Sequence, residues 1–199
     1  ILNPVLFDES AKISACVITQ DEAALLDKCL SNLQGYVDEI VVVDSWSKDN
    51  SVEIASKYTD KIFFRKFDNH MNQKNFAVER AMNDWVLIQD TDEYYEYGFL
   101  NNMKKYIANN LTVDMFLVPR INIIKDLDED LVRKYNFNVH PFFKWVNYPD
   151  QQERLFKSNL RHNIHPVHHH VVGYKNAYFI LGLHSVHVKT KEKQIFQNE

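Results

Sequence analysis

The sequence predicts an α/β domain with a mostly parallel central sheet, helices on both faces and a smaller irregular or antiparallel region at its C-terminal side. Two observations carry this. Short apolar, β-branched runs alternate with helix-period segments over the first ~110 residues, as in sheets covered on both faces. The second half changes character, with Pro119, Pro141, Pro149 and Pro166, many aromatics, and seven of the nine histidines between His162 and His187.

Ile13 to Thr19 is the first predicted strand. Asp21 is expected to cap a helix in which Leu25, Leu26, Cys29, Leu30 and Leu33 recur at helical spacing, with Gly35 at its end. Ile40 to Val43 is a second strand stopping at Asp44, and the polar turn from Ser45 to Asn50 leads to a helix through Val52, Ala55 and Tyr58. Ile62 to Phe64 is a third strand, Asn75 to Met82 a helix, and Trp85 to Ile88 a fourth strand running into Gln89-Asp90-Thr91-Asp92-Glu93. Ligands of such sheets bind beyond the carboxyl ends of the strands. Thr19 with Asp21 and Glu22, then Asp44, then Asp90 with Asp92 are expected to meet on that rim.

Composition narrows the function. The 199 residues carry a net charge of -4, which gives no general attraction to nucleic acid. No apolar run approaches the ~18 residues of a transmembrane helix, and the start of the chain does not resemble a signal peptide. Cys16 and Cys29 read as free thiols of a reducing compartment, so a cytoplasmic location is expected. Only four glycines occur, against roughly 14 at the usual frequency. Gly35, Gly98, Gly173 and Gly182 are too scattered for a Gly-rich phosphate loop. A bound diphosphate would need another partner, and a divalent metal on carboxylates is the natural one. Asp90-Thr91-Asp92 offers two carboxylates at a strand end, the oxygen donors that Mn²⁺ or Mg²⁺ prefers.

Three blocks, Ile18 to Glu22, Val37 to Ser51 and Asp84 to Glu93, resemble family 2 glycosyltransferases of the GT-A fold, in the branch of lipopolysaccharide-core glucosyltransferases. The likeness covers most of residues 12–190 in the right order and spacing. It implies one domain, with a nucleotide-sugar half over about 12–110 and an acceptor half over about 111–190. The resemblance further implies that Thr19, Asp21 or Glu22 flanks the nucleoside. Asp44 would accept from the uracil N3–H, although a turn cap explains it equally well. Asp92 would ligate the metal, with Asp90 on the ribose or on the metal through water. Asn72-Gln73-Lys74-Asn75-Phe76-Ala77 matches a stretch beneath the nucleotide, where Lys74 or Asn75 would touch the donor. Tyr148-Pro149-Asp150-Gln151-Gln152-Glu153-Arg154 matches an Asp followed by Gln-x-x-Arg, with Asp150 as catalytic base and Gln151 and Arg154 beside it. Val167-His168 matches a Val-His element near the acceptor, and His187, ahead of His184, would complete the metal shell. Where the family often has Gly, this chain has Trp46 and Asn50; Asn50 is the expected stand-in because Asn tolerates positive φ.

The function so implied is inverting, metal-dependent transfer of a hexose from a UDP-sugar to a glycan or lipid-linked glycan hydroxyl. UDP-glucose is the first donor, with a deoxyhexose such as rhamnose as the alternative. Two rivals stand beside it: a zinc hydrolase built on the histidines from His162 to His170, and a silent module that only binds a sugar nucleotide. The charged stretch Lys189 to Lys193 reads as the start of a helix or linker leading to further domains of a longer protein.

Overall fold

A computed structural model describes residues 11–163 and 170–198. The first half alternates as expected: β1 (Ile13–Thr19), α1 (Ala23–Leu33), β2 (Glu39–Asp44), α2 (Ser51–Ser56), β3 (Ile62–Phe64), α3 (His70–Arg80) and β4 (Trp85–Asp90). Then come β5 (Glu93–Tyr95), α4 (Tyr97–Asn109), β6 (Met115–Ile124), α5 (Glu129–Tyr135) and β7 (Val146–Lys157). Short strands β8 (Arg161–His162), β9 (Val171–Val172) and β10 (Ala177–Phe179) precede β11 (Ser185–Lys189) and α6 (Lys191–Asn198).

Among the described residues one nine-stranded sheet runs β3-β2-β1-β4-β7-β6-β11-β5, with β10 also paired to β6. The first four strands are parallel, β7 is antiparallel to both β4 and β6, and β11 is parallel to β6. Both faces are buried. Ala15, Val17, Val42 and Leu87 pack on one side with Leu26, Leu30, Leu33, Phe99 and Met103 of α1 and α4. Cys16, Val41, Val43, Val86 and Ile88 pack on the other with Ala77 and Val78 of α3. That double burial is why these strands read as continuous apolar runs. Cys16 and Cys29 are buried free thiols. No described helix is long and apolar enough to cross a membrane.

Several local expectations need correction. Asp21 does not cap α1: it sits at φ 52 and its Oδ1 accepts from Lys48 N at 2.6 Å. The first turn of α1 is held from the next loop instead, where Asp49 Oδ2 accepts from Ala23 N at 2.9 Å. Helix α3 begins five residues earlier than expected, because Asn69 Oδ1 caps it by accepting from Asn72 N at 2.8 Å. Helix α2 stops before Tyr58. In the second half the antiparallel alternative holds, with β6 and β7 running for 10 and 12 residues as an antiparallel pair. The charged stretch after Lys189 starts a helix, α6, which is one of the two forms expected of it.

Two irregularities of the β6–β7 ladder shape the site. Leu117 faces Glu153 while its neighbour Phe116 faces Leu155, so Arg154 is the extra residue of a bulge. A bulge re-aims the side chain it carries. A second register shift lies between Arg120, opposite Asp150, and Asn122, opposite Val146. The β4–β7 ladder runs only as far as Leu87 opposite Leu155.

Candidate active site

Beyond the last β4–β7 pair, charged side chains from four strands and one helix join at the carboxyl rim. Arg154 donates from Nη1 to Asp90 Oδ2 at 2.9 Å and from Nη2 to both Glu93 oxygens at 2.7 Å. Arg120 donates from Nη1 to Glu93 Oε1 at 2.7 Å, and from Nε and Nη2 to Asp150 Oδ2 at 2.9 and 2.6 Å. Lys74 Nζ closes the other end, 2.8 Å from Asp90 Oδ1. The result is an unbroken alternation of charge: Lys74, Asp90, Arg154, Glu93, Arg120, Asp150. Three cations offset three anions, which is what burial of such groups requires.

These charges set the titration of the carboxyls. Burial pushes Asp90 upward, but Lys74 and Arg154 overcome it and hold the group well below the usual range. Burial also opposes ionisation of Asp150, and Arg120, Asn122 and Gln152 outweigh it. Asp150 Oδ2 receives three donors, counting Asn122 Nδ2 at 2.9 Å, whereas Oδ1 receives Gln152 Nε2 at 2.7 Å.

A second cluster flanks the first. Asp92 Oδ2 lies 2.9 Å from His187 Nε2 and 2.9 Å from Lys193 Nζ of α6. Both partners depress the Asp92 carboxyl against the effect of burial. His187 is buried, its Nδ1 has no hydrogen-bond partner, and Glu93 Oε1 is 3.9 Å away. Glu22 approaches Lys193 Nζ at 3.9 Å.

The other expected site residues divide. Asp44 is fully buried and accepts from Ser47 N at 2.8 Å and Ser47 Oγ at 2.6 Å, which is the geometry of a turn cap. Thr19 is buried with its hydroxyl unpartnered, and Gln151 Oε1 is likewise buried without a partner. Asn75 faces away from the donor role expected of it: its amide exchanges hydrogen bonds of 2.8 and 2.9 Å with the backbone of His162. Arg154 is an internal tie 3% exposed. Asn50 does not supply the positive φ; it sits at -79, and Trp46 takes φ 64 with its ring stacked on Phe64, centroids 4.8 Å apart.

Among the described residues no three His, Cys, Asp or Glu side chains gather as a metal-binding group. Val167-His168, His165 and His169 lie outside the described residues. Of the histidine run expected to serve a zinc hydrolase, His170 Nδ1 lies 3.3 Å from Glu153 Oε1, and His162 is held through its backbone by Asn75. Sequence reasoning assigned no role to Glu93, Arg120, Asn122 or Lys193. The signal available for Arg120 was a charge in the middle of the apolar run Met115 to Ile124.

Comparison with known proteins accords with this architecture. A protein of Rickettsia felis named as an uncharacterized glycosyltransferase is 34% identical over 113 residues, covering 57% of this chain and 40% of that protein. The lipopolysaccharide core biosynthesis glycosyltransferase LpsC of Rhizobium meliloti is 33% identical over 101 residues, covering 48% of this chain and 37% of that protein. The chain spans about two fifths of the length of the curated relatives it matches. The crystal structure of S. aureus TarS 1-349 superposes with a TM-score of 0.57 at 13% identity, over 94% of this chain and 62% of that one, and shares the fold. The model of Glycosyl transferase family 2 matches residues 14–180, and by that match the chain, with its GT-A sheet and strand-end carboxylates, belongs to glycosyl transferase family 2.

Proposed function

We propose that this domain transfers a hexose from a UDP-sugar to a hydroxyl of a glycan or lipid-linked glycan, with inversion, assisted by Mn²⁺ or Mg²⁺ and with Asp150 as general base. The observation that carries this reading is the charge relay from Asp90 to Asp150, which holds a donor-side and an acceptor-side carboxylate in one frame through Arg154, Glu93 and Arg120. UDP-glucose is the first donor to test and a deoxyhexose such as rhamnose the second.

The residues fit a divalent cation. Asp92 Oδ2 and His187 Nε2 face each other at 2.9 Å, an oxygen and a nitrogen donor that a cation could share. Cations of this kind are commonly held by one or two protein groups, with phosphate oxygens and water completing the shell. When bound, the metal would neutralise charge on the departing diphosphate. The protein's own cations here are Lys74 and Lys193, both at the rim and both on carboxylates.

On the acceptor side, Asp150 is ionised at neutral pH as an ordinary carboxyl is, and Arg120 lowers it further against burial, so the proton-accepting form is the one present. Oδ2 is saturated, and Oδ1 therefore receives the hydroxyl proton. The hydroxyl oxygen forms the new bond to the anomeric carbon as the bond to the diphosphate breaks on the opposite face. Glu22, Thr19, Asp44 and Gln151 line the nucleoside and sugar side in this reading. A cytoplasmic location, with membrane contact through a lipid-linked acceptor, accords with the free thiols.

The test is UDP release from a panel of nucleotide sugars, with Mn²⁺ and with EDTA, alongside thermal shift. A Mn²⁺-dependent release from one UDP-sugar is expected. A protein that binds a UDP-sugar but releases no UDP from it would be the silent module, and the proposal would fail; so would a protein that binds none.

A further inference from the structure

The segment from His140 to Tyr148 displays aromatic rings that neither the core nor the charge relay uses. Phe142 and Phe143 are 86% and 62% exposed. Phe143 stacks on Trp145 with centroids 4.7 Å apart and planes 20° apart. Trp145 in turn lies 4.9 Å from Tyr148, and His140 lies 4.9 Å from Phe143. Tyr148 ends the series two residues before Asp150, and its hydroxyl is 3.0 Å from His184 Nε2. His184 Nδ1 is itself 2.9 Å from Glu96 Oε2.

The segment is a built structure. His140 N donates to Trp145 O at 2.8 Å, Lys144 N to His140 O at 3.0 Å, and Asn147 N to Asn138 O at 2.7 Å. Phe142 N and Phe143 N both donate to His140 Nδ1, at 3.3 and 3.2 Å. Hydrogen bonds thus hold large rings toward water, where their apolar area is unfavourable and marks a contact surface.

We infer that these rings form the acceptor platform, on which a pyranose ring of the acceptor stacks so that its hydroxyl points toward Asp150. One face of a pyranose is a disc of C–H groups that matches an aromatic plane, while its hydroxyls need polar partners at the rim. Both are provided, the first by Phe143 and Trp145, the second by His140 and by the Tyr148 hydroxyl, which His184 holds in place. The composition separates a sugar from a lipid surface. Within residues 140–148 the one aliphatic side chain, Val146, is 3% exposed, and Lys144 is the one lysine or arginine. A membrane-binding face sets its apolar side chains, Trp and Phe included, beside several basic groups, and here Lys144 stands alone. Continuity with Asp150 fixes which saccharide it is: the acceptor rather than the donor. The inference rests on the transferase reading for that assignment, and saccharide binding itself does not depend on it.

The test titrates the full chain with maltotriose, chitotriose and mannotriose, read by indole NMR shifts of Trp145, in wild type, Phe143→Ala and Phe143→Tyr. UDP release from UDP-glucose and Mn²⁺ without acceptor is followed in parallel. Phe143→Ala is expected to weaken trisaccharide binding by about tenfold, with Phe143→Tyr close to wild type and UDP release unchanged. Equal binding by Phe143→Ala, or no binding of any trisaccharide by wild type, overturns the platform. So does a loss, in Phe143→Ala, of co-sedimentation with phosphatidylethanolamine–phosphatidylglycerol vesicles in place of a loss of sugar binding. Failure of the transferase reading gives a different signature, absence of UDP release from any nucleotide sugar in wild type with trisaccharide binding intact.

Discussion

Arg154 Nη1 donates to Asp90 Oδ2 at 2.9 Å across 64 positions of sequence, and the same guanidinium spends Nη2 on both oxygens of Glu93. Arg154 therefore positions the Asp-Thr-Asp strand end from within the protein. Its side chain is 4% exposed and that of Glu93 2%, so neither charge can turn to solvent if the other is lost.

Removing one partner of such a pair strands the other in low dielectric. Glu93→Gln is expected to cost about 3–5 kcal/mol in urea denaturation. Arg133→Ala, which removes an exposed pair with Glu129, is expected to leave stability unchanged by comparison. Equal effects of the two substitutions would contradict the buried relay.

Asp150→Asn keeps the side-chain shape while removing the charge and the proton acceptor. Turnover is expected to fall on the order of 10²-fold or more. UDP-sugar affinity by calorimetry should move little, since the proposed inversion puts base and diphosphate on opposite sides of the anomeric carbon. Near-normal turnover would disprove the base assignment.

If Asp92 holds the proposed metal, Lys193 is its competitor, because the ammonium lies 2.9 Å from Oδ2. Lys193→Met should tighten Mn²⁺ binding in the absence of nucleotide, and Asp92→Ala should abolish it. Electron paramagnetic resonance of free Mn²⁺ reads both. Unchanged affinity in both variants would remove Asp92 from the metal site.

Trp46 holds φ 64, where a Cβ is unfavourable. Gly is free of that penalty, so Trp46→Gly should be more stable than Trp46→Ala by about 1 kcal/mol in denaturant, although both lose the Phe64 stack. Reversal of that order would mean that the turn relaxes out of the left-handed region.

Asp38 joins β1 to α4. Burial works against its charge, but hydrogen bonds from Lys104, Lys12 and the Ile13 amide bring its pKa from the ordinary 3.8 down to about 2. A depressed carboxyl contributes stability above its unfolded pKa and loses it as pH falls through the folded one. Wild type should therefore lose stability between about pH 4 and pH 2 faster than Asp38→Asn, measured as denaturant midpoints. Parallel curves would exclude Asp38 as a source of acid sensitivity.

The alternation of apolar strands and helices through Ile88 was legible from residue order, because a sheet buried on both faces needs unbroken β-branched runs. So was the rim that carries Asp44, Asp90 and Asp92, since each ends or follows a strand whose direction a parallel sheet dictates. The resemblance assigned Asp92 and His187 to one metal shell; their direct approach at 2.9 Å belongs to the structure.

What the tertiary structure alone decided was how those side chains are spent. Asn75 sits in the expected stretch, yet one strand pair away the His162 backbone claims its amide. Arg154 could not be placed by strand alternation, because a bulge displaces it from the period of two and aims it at Asp90 and Glu93. Arg120 reaches Asp150 through an antiparallel register that no local pattern encodes. Local sequence determines secondary structure and strand direction through propensity and periodicity. Which charges neutralise one another depends on register and bulges between segments distant in sequence, and the desolvation of each ion in the assembled core selects the pairing.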